Sequence, residues 1–285
     1  MTGIRKELET FIIQNLDDAR KLHTIFCDLR SKGFVLNTVH YRGEQKYRWD
    51  IKPGIFRPPL KVDSVELGKQ LERDAILEFE RVVKEEIGEN VLREIYNKNE
   101  FGREWDLLFQ AQHAGVKTTL TDWSMNYHTA LYFATEKSKD VEIEKSNAQL
   151  WCFLMPNEIH KNVDLSNGIN GIFHHLDPFA IDKYMMIDPS TYLNGYKERL
   201  FEYRWFKQRG KFLISPNSSC NIPFNEVAEF KDLIYRIRIP AECKPIIRKE
   251  LEEFDRRYTR EEMYIEESEE AKRMIDKIND KIFGV

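Results

Sequence analysis

The chain has 285 residues, 41% of them hydrophobic, 12% aromatic and 32% charged, and its 44 basic against 48 acidic side chains leave a formal net charge of -4. That length buries a substantial core in one large or two small domains, and the near-balance of charge excludes a strongly basic global footprint for nucleic acid, though not a local basic groove. The N-terminus carries no apolar h-region and no apolar run approaches the ~20 residues that span a bilayer, while Cys27, Cys152, Cys220 and Cys243 form no C-x-x-C pair. These features predict a cytoplasmic chain with reduced, mostly buried thiols, no membrane contact and no zinc site.

Apolar positions from Phe11 to Leu29 have helical spacing, which predicts one amphipathic helix over residues 8–30 ending near Gly33. Phe34 to Tyr41 is β-prone and runs into Arg42-Gly43. A proline-bearing loop follows, through Lys52-Pro53-Gly54 and Arg57-Pro58-Pro59. Asp63 with Glu66 has capping-box spacing and opens a long helix through Phe79 and Val83. Further helices are predicted near 92–96 and from Arg103 to Ala114, the latter closed by Gly115 as its C′ residue. Val116–Asn126 reads as a loop into a helix over Thr129–Lys137. Leu150–Met155 reads as a buried strand, 160–195 as irregular and 196–207 as a helix. Strands are predicted over Lys211–Ser215 and, by clean alternation, Leu233–Ile239. A charged helical tail, 241–285, completes the chain. The order suggests an α+β fold, with N- and C-terminal helices packed on a small mixed or antiparallel sheet. The expected division is 1–33 as an N-terminal helix, 34–255 as the main domain and 256–285 as a helical tail.

Three segments carry candidate chemistry. Tyr41-Arg42-Gly43 puts a permanently charged, forked donor beside a residue without a side chain, which suits a phosphate or carboxylate, or close approach of another backbone. The run from Gln112 to Asn126 is dense in hydrogen-bonding side chains: Gln112, His113, Thr118, Asp122, Ser124 and Asn126, with Trp123 among them. Lying between apolar helices, it either lines a polar cleft or serves as a connection in which Asp122 or Ser124 caps the next helix. Arg204 and Gln208 share a helical face in a locally basic stretch, with Glu202 nearby. His174-His175 with Asp177 lacks a fourth ligand and reads as a surface loop. No P-loop, G-x-G-x-x-G or nucleophile elbow is present.

Together these segments resemble the FRG domain family, named for an aromatic-Arg-Gly motif. Its central pattern is matched by Gln112-His113-x-Gly115, Thr118, Asp122-Trp123-Ser124-x-Asn126 and Ala130-Leu131-Tyr132-Phe133-Ala134, and a later element by Arg204, Gln208, Gly210 and Phe212. Lys117, Thr119 and Tyr127 stand where the family commonly has proline, arginine and proline. The matched order spans roughly residues 34–255. The family's layout is in turn similar to that of ADP-ribosyltransferases. That likeness implies an NAD-consuming effector of bacterial or phage toxin or defence type, with a protein or nucleic-acid acceptor and no metal. It implies Arg42, Ser124, Glu202 and Gln208 as catalytic, with Tyr132 or Trp123 as an aromatic wall. Tyr41, Gly43, Gln112, His113, Thr118, Asp122, Asn126 and Arg204 would contact ligand. Cleavage of the nicotinamide–ribose bond passes through an oxocarbenium-like state that a carboxylate stabilises, and Gln208 cannot supply that charge. The alternatives are a non-catalytic nucleotide or nucleic-acid binding module, or a structural domain whose polar motif holds the core.

Overall fold

The computed structural model describes residues 2–31, 38–90, 103–156, 159, 177–187, 208, 210–264 and 269–284. Strands β1 (Val39–Glu44), β2 (Leu120–Ser124), β3 (Ala148–Leu154), β4 (Met185–Ile187), β5 (Gly210–Ile214) and β6 (Ile234–Ile239) form one sheet of order β4-β5-β2-β1-β3-β6. All neighbouring pairs are antiparallel. The helices are α1 (Thr2–Thr10), α2 (Leu16–Ser31), α3 (Val65–Val82), α4 (Arg103–Ala114), α5 (Tyr127–Thr135), α6 (Lys244–Phe254) and α7 (Glu269–Phe283), besides single turns. The fold is α+β.

Strand alternation divides the core. Leu150, Cys152 and Leu154 of β3 pack with α2, α5 and α6, joined by Tyr41 and Ile237. Leu120 of β2 and Phe212 and Ile214 of β5 pack with α3, α4 and α7. The intervening residues, Trp123, Trp151, Phe153 and Leu213, meet loop side chains such as Phe224 and Phe230. The two helical groups therefore flank a seam that runs over β1 and β2.

Several sequence expectations change. The helix expected over 8–30 is two helices, because residues between them bond to the sheet edge. Ile12 bridges to Arg238 of β6, and the Ile13 amide donates to the Arg238 carbonyl at 3.0 Å. That contact covers an otherwise open edge. The cap of α3 is Ser64, whose hydroxyl accepts from the Leu67 amide at 3.1 Å, in place of the Asp63–Glu66 box. The supposed loop before Asn126 contains β2, since Leu120 and Trp123 are buried on opposite faces. Neither Asp122 nor Ser124 caps α5: Asn126 does, its side chain accepting from the His128 amide at 3.0 Å. The stretch 160–195, expected to be irregular, includes β4. Helix α4 ends as predicted, with Gly115 at φ +106. The helices expected at 92–96 and 196–207 lie outside the described residues, as do His174 and His175.

Candidate functional site

The site begins where two neighbouring strands part. Strand β1 pairs with β3 from Val39↔Leu154 to Glu44↔Gln149, but meets β2 at the single pair Tyr41↔Ser124. Beyond Tyr41 a main-chain carbonyl on β2 needs a donor. Arg42 supplies it, donating from Nη1 to the Asp122 carbonyl at 2.5 Å. The rest of its guanidinium grips Glu44 Oε1, at 2.9 Å from Nε and 2.8 Å from Nη2. Both side chains are buried, at 9% and 7% exposure, so charge and burial lock the fork open. Arg57 reaches the same Glu44 oxygen at 3.6 Å, and its Nε donates to the Lys52 carbonyl at 2.6 Å.

The facing wall is the end of α4 with β2. Gln112 Nε2 donates to Asp122 Oδ2 at 2.9 Å, and its carbonyl accepts from the Thr118 hydroxyl. Thr118 Oγ1 in turn accepts from the Leu120 amide at 3.1 Å. This relay ties the helix end to the strand and orients Asp122, whose side chain is 60% exposed. Behind it, fully buried Glu72 of α3 accepts from the Thr119 amide and hydroxyl at 2.6 and 2.8 Å, while Lys69 bonds Glu72 and Thr119. Position 119 is a threonine, and the cation beside it, Lys69, comes from the neighbouring helix.

Gly43 faces α5. A Cβ there would lie 1.8 Å from the Ala130 carbonyl oxygen and 2.6 Å from the Ala134 amide nitrogen. The glycine therefore serves the approach of another backbone, one of the two roles its residue type allows. The resulting cleft, of about 360 Å³, lies between the end of α4 and α5 over the strand fork. That is within the usual size of small-ligand pockets, at the small end.

The cleft brings together Tyr41, Arg42, Gly43, Gln112, His113, Asp122, Trp123, Ser124 and Gln208. Several are already occupied. Tyr41 is buried, its hydroxyl 2.6 Å from His23 Nδ1, and burial keeps its phenol protonated far above the usual range. Ser124 Oγ donates to the Gln208 carbonyl at 2.7 Å and accepts from the Asn126 amide at 3.0 Å. Gln208 Nε2 donates to the Met263 carbonyl at 3.3 Å. Thr118 and Asn126 stand behind the wall, and Asn126 Nδ2 donates to Tyr258 at 2.7 Å. Tyr132 is packed in the α2–α5 core and is not part of the lining. The Trp123 ring turns to the opposite face against Phe153 and Phe224. Neither expected aromatic wall faces the cleft. Trp49 does, at 41% exposure. Glu202 and Arg204 lie outside the described residues.

Trp49, Glu44 and Glu136 escaped the sequence reading, while Lys211 belonged to the locally basic stretch around Arg204 and Arg57 to the proline-bearing loop after the motif. Arg57 stood in a proline-flanked stretch beside the motif, a signal that was available. Glu44 and Trp49 stood two and seven residues after Arg42, with no pattern to single them out. The electrostatics are crowded. Burial, and then the neighbouring charge of Arg42, lower the Arg57 pKa. Burial, and then Arg57, lower that of Lys117. Among the lining carboxylates, Glu44 is locked by Arg42, and Glu136 accepts from Arg260 and the Tyr264 hydroxyl, each at 2.8 Å. Asp122 opens to solvent. Among the described residues, no group of three or more His, Cys, Asp and Glu side chains could hold a metal ion, and no helix is long and apolar enough to cross a membrane.

Residues 37–142 match the family model of the FRG domain. An FRG domain is therefore present there; it runs from the start of β1 past α5 and contains Arg42, Asp122 and Ser124. Gln208 and strands β3 to β6 lie beyond it. No curated protein and no solved structure matches the chain.

Proposed function

We propose that the cleft binds a nucleotide of the NAD type and cleaves its nicotinamide–ribose bond, with Asp122 as the catalytic carboxylate. One observation carries this reading. Asp122 is an exposed carboxylate oriented by Gln112, set between the cations Arg42 and Arg57, in an open cleft beside the exposed Trp49. The exposed indole offers a flat surface for the base or nicotinamide ring. Lys211 in the lining, with Arg57 close to Asp122, attracts phosphate oxygens. A volume at the small end of the pocket range suits one nucleoside-sized end of the ligand, the remainder lying across the mouth. In the reaction the C1′–N bond breaks and its electron pair leaves with nicotinamide. The ribosyl cation faces Asp122, and water or an acceptor hydroxyl adds to C1′ with loss of its proton to the carboxylate. Ser124 and Gln208 then act as positioning residues, since their polar groups are engaged with backbone and with each other.

The experiment is nicotinamide release from NAD by purified protein, followed by chromatography beside calorimetric NAD binding. The expected result is release by the wild type and a loss of about a hundredfold or more in Asp122→Asn, with binding retained. Absence of both binding and release in the wild type at millimolar NAD overturns the reading. Binding without release identifies a non-catalytic nucleotide-holding module, the reading favoured by the engagement of Ser124 and Gln208.

A further inference from the structure

Residues 45–49 follow β1 directly, and Gln45 and Trp49 line the cleft. This turn is pinned from four distant segments. The buried ammonium of Lys244 donates to the Gln45 carbonyl at 2.9 Å, and Gln45 Nε2 donates to the Glu136 carbonyl at 3.3 Å. The Tyr47 amide donates to the Asn147 carbonyl at 2.5 Å. Gln149, fully buried on β3, uses both ends of its amide: Oε1 accepts from the Arg48 amide at 2.8 Å, and Nε2 donates to the Trp49 carbonyl at 2.5 Å. Between those two bonds Arg48 is held at φ +75, the single non-glycine residue with positive φ among the described residues. A residue with a Cβ enters that region at a cost, and such strain persists only where the surroundings enforce it. What the anchoring holds out is one indole. Trp49 is 41% exposed. The other aromatic rings of the lining are met by rings of the protein: Tyr41 by His23 and Tyr127, Trp123 by Phe153 and Phe224, and Phe133 by Tyr132 and Tyr264. Phe212 lies on Phe109 at 5.2 Å and 9°. Among the described residues the Trp49 ring meets no other ring. An exposed, unstacked indole gains most by covering its face with another flat ring, and a turn already fixed loses little freedom when it does so.

We propose that Trp49 is the specificity-determining residue of this cleft. It selects a ribose phosphate that carries a flat heteroaromatic ring over the same sugar phosphate without one. The left-handed turn at Arg48, held by Gln149, is what positions it. This inference rests on the nucleotide reading of the cleft and adds to it the part of the ligand that is discriminated.

The test uses the full chain, nicotinamide mononucleotide as the ring-bearing probe and ribose 5-phosphate as its ringless counterpart, with affinities from calorimetry. The wild type is expected to bind the mononucleotide at least tenfold more tightly. Trp49→Ala, an exposed change, is expected to erase that difference and leave ribose 5-phosphate binding as it was, while Trp49→Phe keeps most of it. Arg48→Gly and Arg48→Val both remove the guanidinium and both keep the indole. Glycine accepts the positive φ and valine resists it, so the first should retain the preference and the second lose it. A role in folding alone would leave the affinity ratio unmoved in all four variants. Should Arg48→Val not fold, the two Trp49 variants decide the matter. No binding of the mononucleotide at millimolar concentration, equal affinity for the two probes in the wild type, or an undiminished preference in Trp49→Ala overturns the inference. Nicotinamide release from NAD by Trp49→Ala at unchanged KM overturns it and leaves the nucleotide reading standing. A Trp49-dependent preference without release from NAD by the wild type supports it and refutes the cleavage step alone.

Discussion

Replacing Gly43 by alanine adds one methyl group at the point where β1 touches α5. The nearest atoms are main-chain: the Ala130 oxygen at 1.8 Å and the Ala134 nitrogen at 2.6 Å, against the 3.0 Å that real contacts essentially never undercut. A side chain can rotate away from such a contact, but a helical backbone cannot. Strand and helix must then separate by more than an ångström across a core that includes Tyr41, Ala130 and Leu131. Overpacking of well-packed interiors costs about 1–3 kcal/mol, and the immobile backbone places this case at the top, about 3 kcal/mol. For a chain of this length that lowers the melting temperature by roughly 6 °C. Gly54 is the internal control. Its added methyl would meet nothing closer than a Lys117 side-chain carbon at 3.6 Å, so Gly54→Ala should stay within about 0.5 kcal/mol of wild type. Differential scanning calorimetry of the two variants decides the point. A Gly43→Ala protein melting within about 1 °C of wild type would refute the packing account of the motif glycine.

Arg42→Ala leaves Glu44 buried without its partner and should cost about 3–5 kcal/mol, whereas Arg42→Ala with Glu44→Ala should recover much of that loss, a coupling read from urea midpoints. Glu72→Gln leaves Lys69 as an uncompensated buried charge and replaces one of the two carboxylate oxygens, Oε2 for Lys69 and Oε1 for Thr119, by an amide donor; the expected loss is likewise about 3 kcal/mol or more, with an unchanged m-value. His128 stacks 4.0 Å from the Tyr127 ring and 4.5 Å from that of Phe254, and burial pulls its pKa down to about 4 from the usual 6.5. The unfolded chain binds the proton first, so this group's contribution is fully present above pH 6.5 and is lost as the pH falls toward 4. His128→Gln should flatten the pH dependence of stability across that window, and identical slopes in the two proteins would count against it.

The long amphipathic elements were legible because burial repeats at the period of the element that carries it. Helix α4 ended at Ala114 as read, since Gly115 adopts the positive φ that its position demands. β6 was legible from its alternation. β2 was not, because LTDWS alternates only weakly and its polar groups are oriented by partners outside the strand: the Asp122 carboxylate by Gln112, the Asp122 main-chain carbonyl by Arg42, and Ser124 by Gln208. The break between α1 and α2 was hidden for a related reason. Phe11, Ile12 and Leu16 fit a helical stripe, but an open strand edge at Arg238 competes for the backbone and wins. At the site, residue types pointed to the right segment and missed the roles. Hydrogen-bonding capacity is visible in a sequence, but whether a neighbour has already used it is not. Trp49 shows the converse. Its exposure in the cleft depends on Gln149, whose amide donates to the Trp49 carbonyl from a strand a hundred residues later.

This distinction reassigns the aromatic-Arg-Gly triplet. The Tyr41 hydroxyl is committed to His23, the Arg42 fork to Glu44 and the Asp122 carbonyl, and the bare α-carbon of Gly43 to the backbone of α5. None of the three has much left with which to hold a ligand. What they do together is keep β1 and β2 apart beyond their single pair and press α5 against the opening, which is what creates the cleft. Loss of activity on changing any of them would therefore report the collapse of the fork as readily as the loss of a contact. Asp122 and Trp49 are different: each reaches the solvent in the same cleft and can be altered without leaving a buried group unpaired. The chemistry of the site is tested at those positions, and its architecture at the triplet.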